Sequence, residues 1–249
     1  FSFDHLGLRE GLSQSYVNCI VQDKQGFMWF GTQDGLNMFD GYHFKIFKHN
    51  PKESKTISNN YIHDITIDND GNLWIATDNG LNMFDPITAQ FTLYQLHNKG
   101  SELKQKFTSL LIHQNTLFAA TANNGLYTLN ISEKGSKLTS LLLQQQLQNS
   151  IVQSLCIDQD QQLWIATNNL GVLTYNIKTK QTSSYQIGSK NALNSNCVFS
   201  VFNFNEKYIW LGTDNGLNIL DKQSGAIELV QNEESKPNSL SNNVVKDIY

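Results

Sequence analysis

Short runs in which apolar and polar residues alternate follow one another along the chain, separated by clusters of Asp, Asn and Gly. "YIHDITID" (61–68), "NLWIAT" (72–77), "LNMFD" (81–85) and "AQFTLYQL" (89–96) are four successive examples. They are rich in β-branched and aromatic residues, the composition of half-buried strands. The breaks "DNDG" (68–71) and "DNG" (78–80) supply residues that adopt positive φ cheaply, as hairpin turns require. The pattern therefore predicts four short strands joined by tight turns, and then it starts again.

The restart is visible letter by letter. "GLNMFD" stands at 35–40 and again at 80–85, and "GLNILD" follows at 216–221. Trp29, Trp74, Phe118, Trp164 and Trp210 recur at steps of 45, 44, 46 and 46 residues, in phase with Gly35, Gly80, Gly125, Gly171 and Gly216. An aliphatic anchor leads each unit: Leu12, Ile57, Leu103, Leu147, Leu193 and Leu240. A period in this range with four strands per unit is that of a β-propeller blade. The fold expected is all-β, a β-propeller of four-stranded antiparallel blades at about 12–56, 57–102, 103–146, 147–192 and 193–239. The large aromatic of each second strand is expected to fill the space between neighbouring blades. Residues 1–6 read as an outer strand and 240–249 as an inner strand of a further, incomplete blade, which makes the chain a piece of a longer propeller in this reading. The segment "LTSLLLQQQLQ" (138–148) also fits a helical stripe, but the repeat favours a strand followed by a loop.

Composition narrows the function classes. The net charge is −4 from 18 basic and 22 acidic residues, and Arg9 is the only arginine. Without a basic cluster, nucleic acid and anionic lipid are poor partners. No run approaches the roughly 18 apolar residues of a membrane span. Cys19, Cys156 and Cys197 show no zinc or disulfide spacing and read as small buried apolar groups. The histidines at 5, 43, 49, 63, 97 and 113 share no metal-ligand spacing, and "DNDGN" (68–72) lacks the distal acid of a calcium loop. No nucleophile elbow, zincin or P-loop pattern occurs. Neither catalytic residue, metal nor cofactor is expected.

A binding site is readable from the fold. First strands line the channel of a propeller, and their lead-in loops stand at its mouth. Six residues past the anchors come Asn18, His63, Ser109, Gln153, Phe199 and Lys246; three past them come Ser15, Asn60, Lys106, Ser150, Asn196 and Asn243. Polar groups converging on a concave mouth suit a small neutral ligand such as a sugar. The candidate set is Asn18, Asn60, His63, Gln153 and Asn196 with Tyr16 and Tyr61. The competing reading of the polar residues is strand capping, and that of the tyrosines core packing.

The units at 11–85 resemble the two-component regulator propeller repeat, whose hallmark is similar to G-x-L-W-I-G-T-x-x-G-L; the third unit departs from it at Phe118. The resemblance implies the periplasmic, extracytoplasmic sensing part of a bacterial membrane receptor. A β-sandwich, a membrane helix and a histidine kinase or diguanylate cyclase would follow it. It also implies self-association through receptor dimerisation and, for part of the family, glycan-derived ligands. The expected function is thus a non-catalytic sensor. Two alternatives stand beside it: a lyase similar to streptogramin lyases, for which only His63 is suitably placed, and a propeller serving only docking or dimerisation.

Overall fold

Each repeat folds into one antiparallel sheet whose strands follow chain order. The computed structural model describes residues 5–98, 101–141, 143, 145–189 and 192–249. The first sheet is β1 (Val17–Gln22), β2 (Met28–Thr32), β3 (Gly35–Phe39) and β4 (Phe44–Phe47); the second is β5 (Ile62–Ile67), β6 (Leu73–Thr77), β7 (Gly80–Asp85) and β8 (Gln90–Tyr94). A two-stranded ribbon, β9 (Leu96–Asn98) and β10 (Ser101–Leu103), precedes the third sheet. That sheet is β11 (Phe107–His113), β12 (Thr116–Thr121), β13 (Leu126–Asn130) and β14 (Thr139–Ser140). The fourth holds β15 (Val152–Ile157), β16 (Gln162–Thr167), β17 (Val172–Asn176) and β18 (Thr182–Tyr185), and the fifth β19 (Val198–Asn203), β20 (Tyr208–Thr213), β21 (Gly216–Asp221) and β22 (Ile227–Val230). The described residues contain no α-helix, only a 3₁₀ turn at Leu8–Glu10. This is the β-propeller blade repeated five times.

The chain divides into two compact units. One comprises Phe1–Ala122 with Leu126–Leu142 and carries the first three sheets; the other comprises Asn123–Gly125 with Leu143–Tyr249 and carries the last two. Within each unit the apolar face of one sheet packs on the next. Trp29 joins Ile62, Ile75 and Phe84 of the second sheet. Trp74 joins Phe107, Leu117 and Leu129 of the third, and Trp164 joins Val198, Ile209 and Leu220 of the fifth. Trp210 departs from this rule: it is half-buried and stacks on Phe204 of its own blade, with ring centroids 4.3 Å apart.

The recurrent motif has a buried polar purpose. Asn37, Asn82 and Asn218 of "GLN" are fully buried. Their side-chain oxygens accept from the backbone N–H of Ser13, Ser58 and Asn194 at 2.9, 3.0 and 3.2 Å, latching the lead-in segment of the same blade. The hairpin glycine then staples each blade to the lead-in segment that follows it: the N–H groups of Gly35, Gly80, Gly171 and Gly216 donate to the carbonyls of Asn60, Gln105, Asn196 and Asn243. Gly35 has φ +117°, and a Cβ there would lie 2.8 Å from the Phe47 carbonyl, so only glycine fits without strain.

Three sequence expectations need correction, and the reading of 138–148 as a strand followed by a loop holds. In the third unit Leu103 is not a core anchor; it is 37% exposed, and Leu96 is buried instead. The 44-residue step leaves that unit one residue short, so Gln105 rather than Lys106 receives the staple. The expected inner strand at 240–249 does not form. The segment is held by the bonds Gly216 N–H to Asn243 and Val245 N–H to Thr213, and no strand of the described residues pairs with it as a ladder. Of the expected outer strand at 1–6, residues 1–4 lie outside the described residues, and His5–Leu6 are not strand. In 138–148 a two-residue strand is followed by turns; Leu142 and Gln144 lie outside the described residues.

Candidate ligand-binding site

The first strands share a defect that positions side chains. In every sheet the pairing of the first with the second strand slips by one residue, between Val17 and Cys19, Ile62 and Asp64, Phe107 and Ser109, Val152 and Ser154, and Val198 and Ser200. A β-bulge of this kind re-aims the extra side chain. The bulged residues are Asn18, His63, Thr108, Gln153 and Phe199. Three of them were candidates from spacing alone; in the shortened third unit the bulge falls on Thr108, one position before Ser109.

Within the first unit the second and third sheets bring four groups together. Tyr61 and His63 flank the start of β5, and their rings stack at 4.6 Å with an interplanar angle of 27°. Asp78 begins the β6–β7 hairpin and sits 2.8 Å from His63 Nε2. Lys106 occupies the slot in the third unit that Tyr61 fills in the second, because Ala122 N–H bonds to its carbonyl as Asp78 N–H bonds to that of Tyr61. Its ammonium lies 3.2 Å from Asp78 and 5.7 Å from the centre of the Tyr61 ring. Gln33 of the first blade donates to the Tyr61 hydroxyl at 3.3 Å. Asp78 and Lys106 are 40% and 42% exposed, whereas His63 is only 15% exposed. The result is an aromatic plate with an open acid–base edge.

The other candidates have different surroundings. Asn18 donates to the Ile62 carbonyl at 2.6 Å and is spent on joining the first two sheets. Asn60 accepts from His49 N–H at 2.7 Å and donates to Asp34, so it holds the lead-in loop. Asn196 does the same in the second unit, accepting from Ile187 N–H at 2.9 Å. Gln153 is half-buried on its bulge in the second unit. Tyr16 is 62% exposed, so it is not core packing.

Burial lowers the pKa of His63 below its ordinary 6.5, and the nearby Lys106 charge lowers it further; the Asp78 hydrogen bond opposes both. For Asp78 burial acts upward, but the bonds from His63 and Lys106 outweigh it and hold the carboxyl below 3.8. At neutral pH the site is therefore a neutral imidazole donating through Nε2 to an ionised carboxylate. Because folding favours neutral His63, its contribution to stability is complete above pH 6.5 and is lost as the pH falls through the depressed folded value. An NMR titration should place the His63 midpoint below 6.5, and Lys106→Met should move it upward. A midpoint at or above 6.5 in the wild-type chain would contradict this geometry.

The candidates that sequence could not supply are Asp78 and its pairing to Lys106. Hairpin position explains Asp78 as a turn residue, and only the packing of two blades shows its partners. Among the described residues, no group of three or more His, Cys, Asp or Glu gathers as a metal site would.

Residues 11–34, 56–79 and 146–169 match the family described as two component regulator propeller. A 49-residue stretch is 59% identical to histidine kinase P4 of Formosa agariphila, covering 20% of this chain and 4% of that protein. Among solved structures, the extracellular domain of BT3049 of B. thetaiotaomicron, assigned to a hybrid two-component system, is 22% identical. Its TM-score is 0.64 over 99% of this chain and 39% of that one. The extracellular domain of BT4673 of the same organism, assigned to a one-component system, is 20% identical with a TM-score of 0.63 over 96% of this chain and 36% of that one. PorZ of Porphyromonas gingivalis, a surface component of the type-IX secretion system, is 15% identical with a TM-score of 0.65, covering 91% of this chain and 34% of PorZ. These structural likenesses are likenesses of fold, and the chain spans between a third and two fifths of each of the three. The three segments that match the two component regulator propeller model each cover the first two strands of a sheet folded as a propeller blade.

Proposed function

We propose that this chain is the extracytoplasmic sensor part of a bacterial signal-transduction receptor and that it is itself non-catalytic. In this reading it binds a neutral, hydroxyl-rich ligand such as an oligosaccharide at the Tyr61–His63–Asp78–Lys106 cluster. The observation that carries the reading is that cluster: a stacked aromatic plate beside an exposed ion pair, built on a bulge and a hairpin of a regulator-propeller repeat. Aromatic faces take the apolar side of a sugar ring, while Asp78 and Lys106 accept from and donate to its hydroxyls. The match to the repeat and the extracellular placement of the structurally similar domains support the location. In the whole receptor, self-association and a kinase or cyclase module would read out binding, and the ligand could shift the receptor only by its preference between two states. Calorimetric screening of neutral oligosaccharides against the chain and Tyr61→Ala tests the site. The variant is expected to weaken binding at least tenfold, about 1.4 kcal/mol. Binding that is indifferent to both Tyr61→Ala and Asp78→Ala would place the ligand elsewhere.

A further inference from the structure

Lys222 stands where the third and fourth blades carry isoleucine and the first two carry Gly41 and Pro86. Directly after the third strand, the N–H groups of Ile131, Ile177 and Lys222 donate to the carbonyls of Asn115, Gln161 and Lys207 at 2.9, 2.9 and 2.8 Å, which makes the three positions equivalent. Ile131 packs against the cluster around Trp74. In the fifth sheet that position holds a lysine whose side chain is only 9% exposed.

Its nearest acid does not satisfy it. Asp158 Oδ2 lies 3.6 Å from Lys222 Nζ, close enough for an ion pair and too far for a hydrogen bond. Asp158 is already committed: Oδ1 accepts from the N–H groups of Asp160 and Gln162, and Oδ2 accepts from Trp164 Nε1. The buried ammonium has no hydrogen-bond partner. A buried donor left unmade is costly, and packing alone does not call for a lysine, since isoleucine serves at this place in the third and fourth blades.

The ammonium faces a groove between the fourth and fifth sheets of about 220 Å³. Tyr185 stacked on Trp164 forms its aromatic wall. Thr174 and Ser183 share one hydrogen bond at 2.6 Å, which leaves one hydroxyl proton to donate. Gln162 accepts from Asn176, and its amide nitrogen remains a donor. Asp160, also on the wall, accepts. With Asp158 and Asp160 against one lysine, an anion is disfavoured.

We propose that this groove is a second binding site, separate from the Tyr61 cluster, for one neutral polyhydroxylated molecule of single-sugar size. One ligand oxygen accepts from Lys222 Nζ, and a neighbouring hydroxyl donates to Asp160.

The test is an NMR titration of the full 249-residue chain with glucose, glycerol and glucuronate, following the Trp164 indole N–H. Glucose at millimolar concentration is expected to move that resonance. Lys222→Met should weaken binding at least tenfold, while Tyr61→Ala leaves it unchanged. Thermal unfolding checks that the variant folds; if it does not, Ser183→Ala carries the same expectation. The proposal is overturned if neither neutral polyol moves the Trp164 signal at tens of millimolar, which would mean that water alone completes Lys222. It is also overturned if the folded variant binds as the parent does, or if glucuronate binds more tightly than glucose.

Discussion

Trp74→Ala lowers the stability of the chain by ~3–5 kcal/mol, the range for deleting a large buried aromatic. Trp74 is 2% exposed and packs among Phe107, Leu117 and Leu129 of the neighbouring sheet, with Tyr94 at 5.2 Å between ring centroids. Removing the indole opens a cavity between two sheets that are held apart by other strands and cannot collapse to fill it. It also strips the Asp68 carboxylate of a hydrogen bond at 3.0 Å. Denaturant unfolding followed by circular dichroism measures the loss. Tyr42→Ala, at a residue 85% exposed, serves as the control and should change stability by less than about 0.5 kcal/mol. Trp210→Ala should cost clearly less than Trp74→Ala, because Trp210 is half-buried against one ring of its own blade. A Trp74→Ala cost below about 1 kcal/mol would show that the residue does not bear on the packing between sheets.

Strands were legible because hydrophobic alternation and turn chemistry are local, and the blade was legible because it is spelled repeatedly. Trp29, Trp74 and Trp164 stood out as interblade residues for the same reason. What the period could not show is what depends on geometry within a period. The one-residue bulge at Asn18, His63, Thr108, Gln153 and Phe199 leaves no mark in composition, since it is a slip between two strands. Asn82 looked like one polar position of a strand; its full burial and its latch to Ser58 follow only from the fold. The third unit was misaligned by one residue because Leu103 resembled an anchor, whereas its backbone is taken by a ribbon with Leu96–Asn98. At the candidate site Tyr61 and His63 were readable as neighbours near a strand start. Asp78 and Lys106 join them from a hairpin and from the next blade, a relation that spacing along one strand cannot encode. A lysine directly after a strand reads as solvated, and only the burial of Lys222 beside Asp158 in the folded blade makes it unusual.

The chain itself varies the Asp–Trp pair in a way that predicts its worth. Asp23, Asp68 and Asp158 stand six residues before Trp29, Trp74 and Trp164 and accept from their indole N–H groups at 2.8, 3.0 and 3.0 Å. In the third blade phenylalanine replaces the tryptophan, and the turn tightens to Gln114–Asn115 with no carboxylate in the slot. In the fifth blade Phe204 takes the aspartate's position and covers Trp210 with its ring. The carboxylate is thus present where a buried indole N–H needs it and absent in the other two blades. Asp68 also ties the turn, with Oδ1 accepting from the N–H groups of Asp70 and Asn72 at 3.0 and 2.9 Å. Asp68→Ala leaves the indole N–H buried without a partner and frees the turn, so it should cost about 2–4 kcal/mol, charge-assisted bonds and an orphaned donor together. Trp74→Phe removes the donor but keeps most of the packing and should cost less than Trp74→Ala. In the double variant Asp68→Ala/Trp74→Phe the orphaned donor no longer exists, so the two costs should fall short of additive by about 1 kcal/mol or more. Strict additivity in denaturant unfolding would mean that Asp68 acts on the turn alone and that the indole N–H finds no essential partner in it.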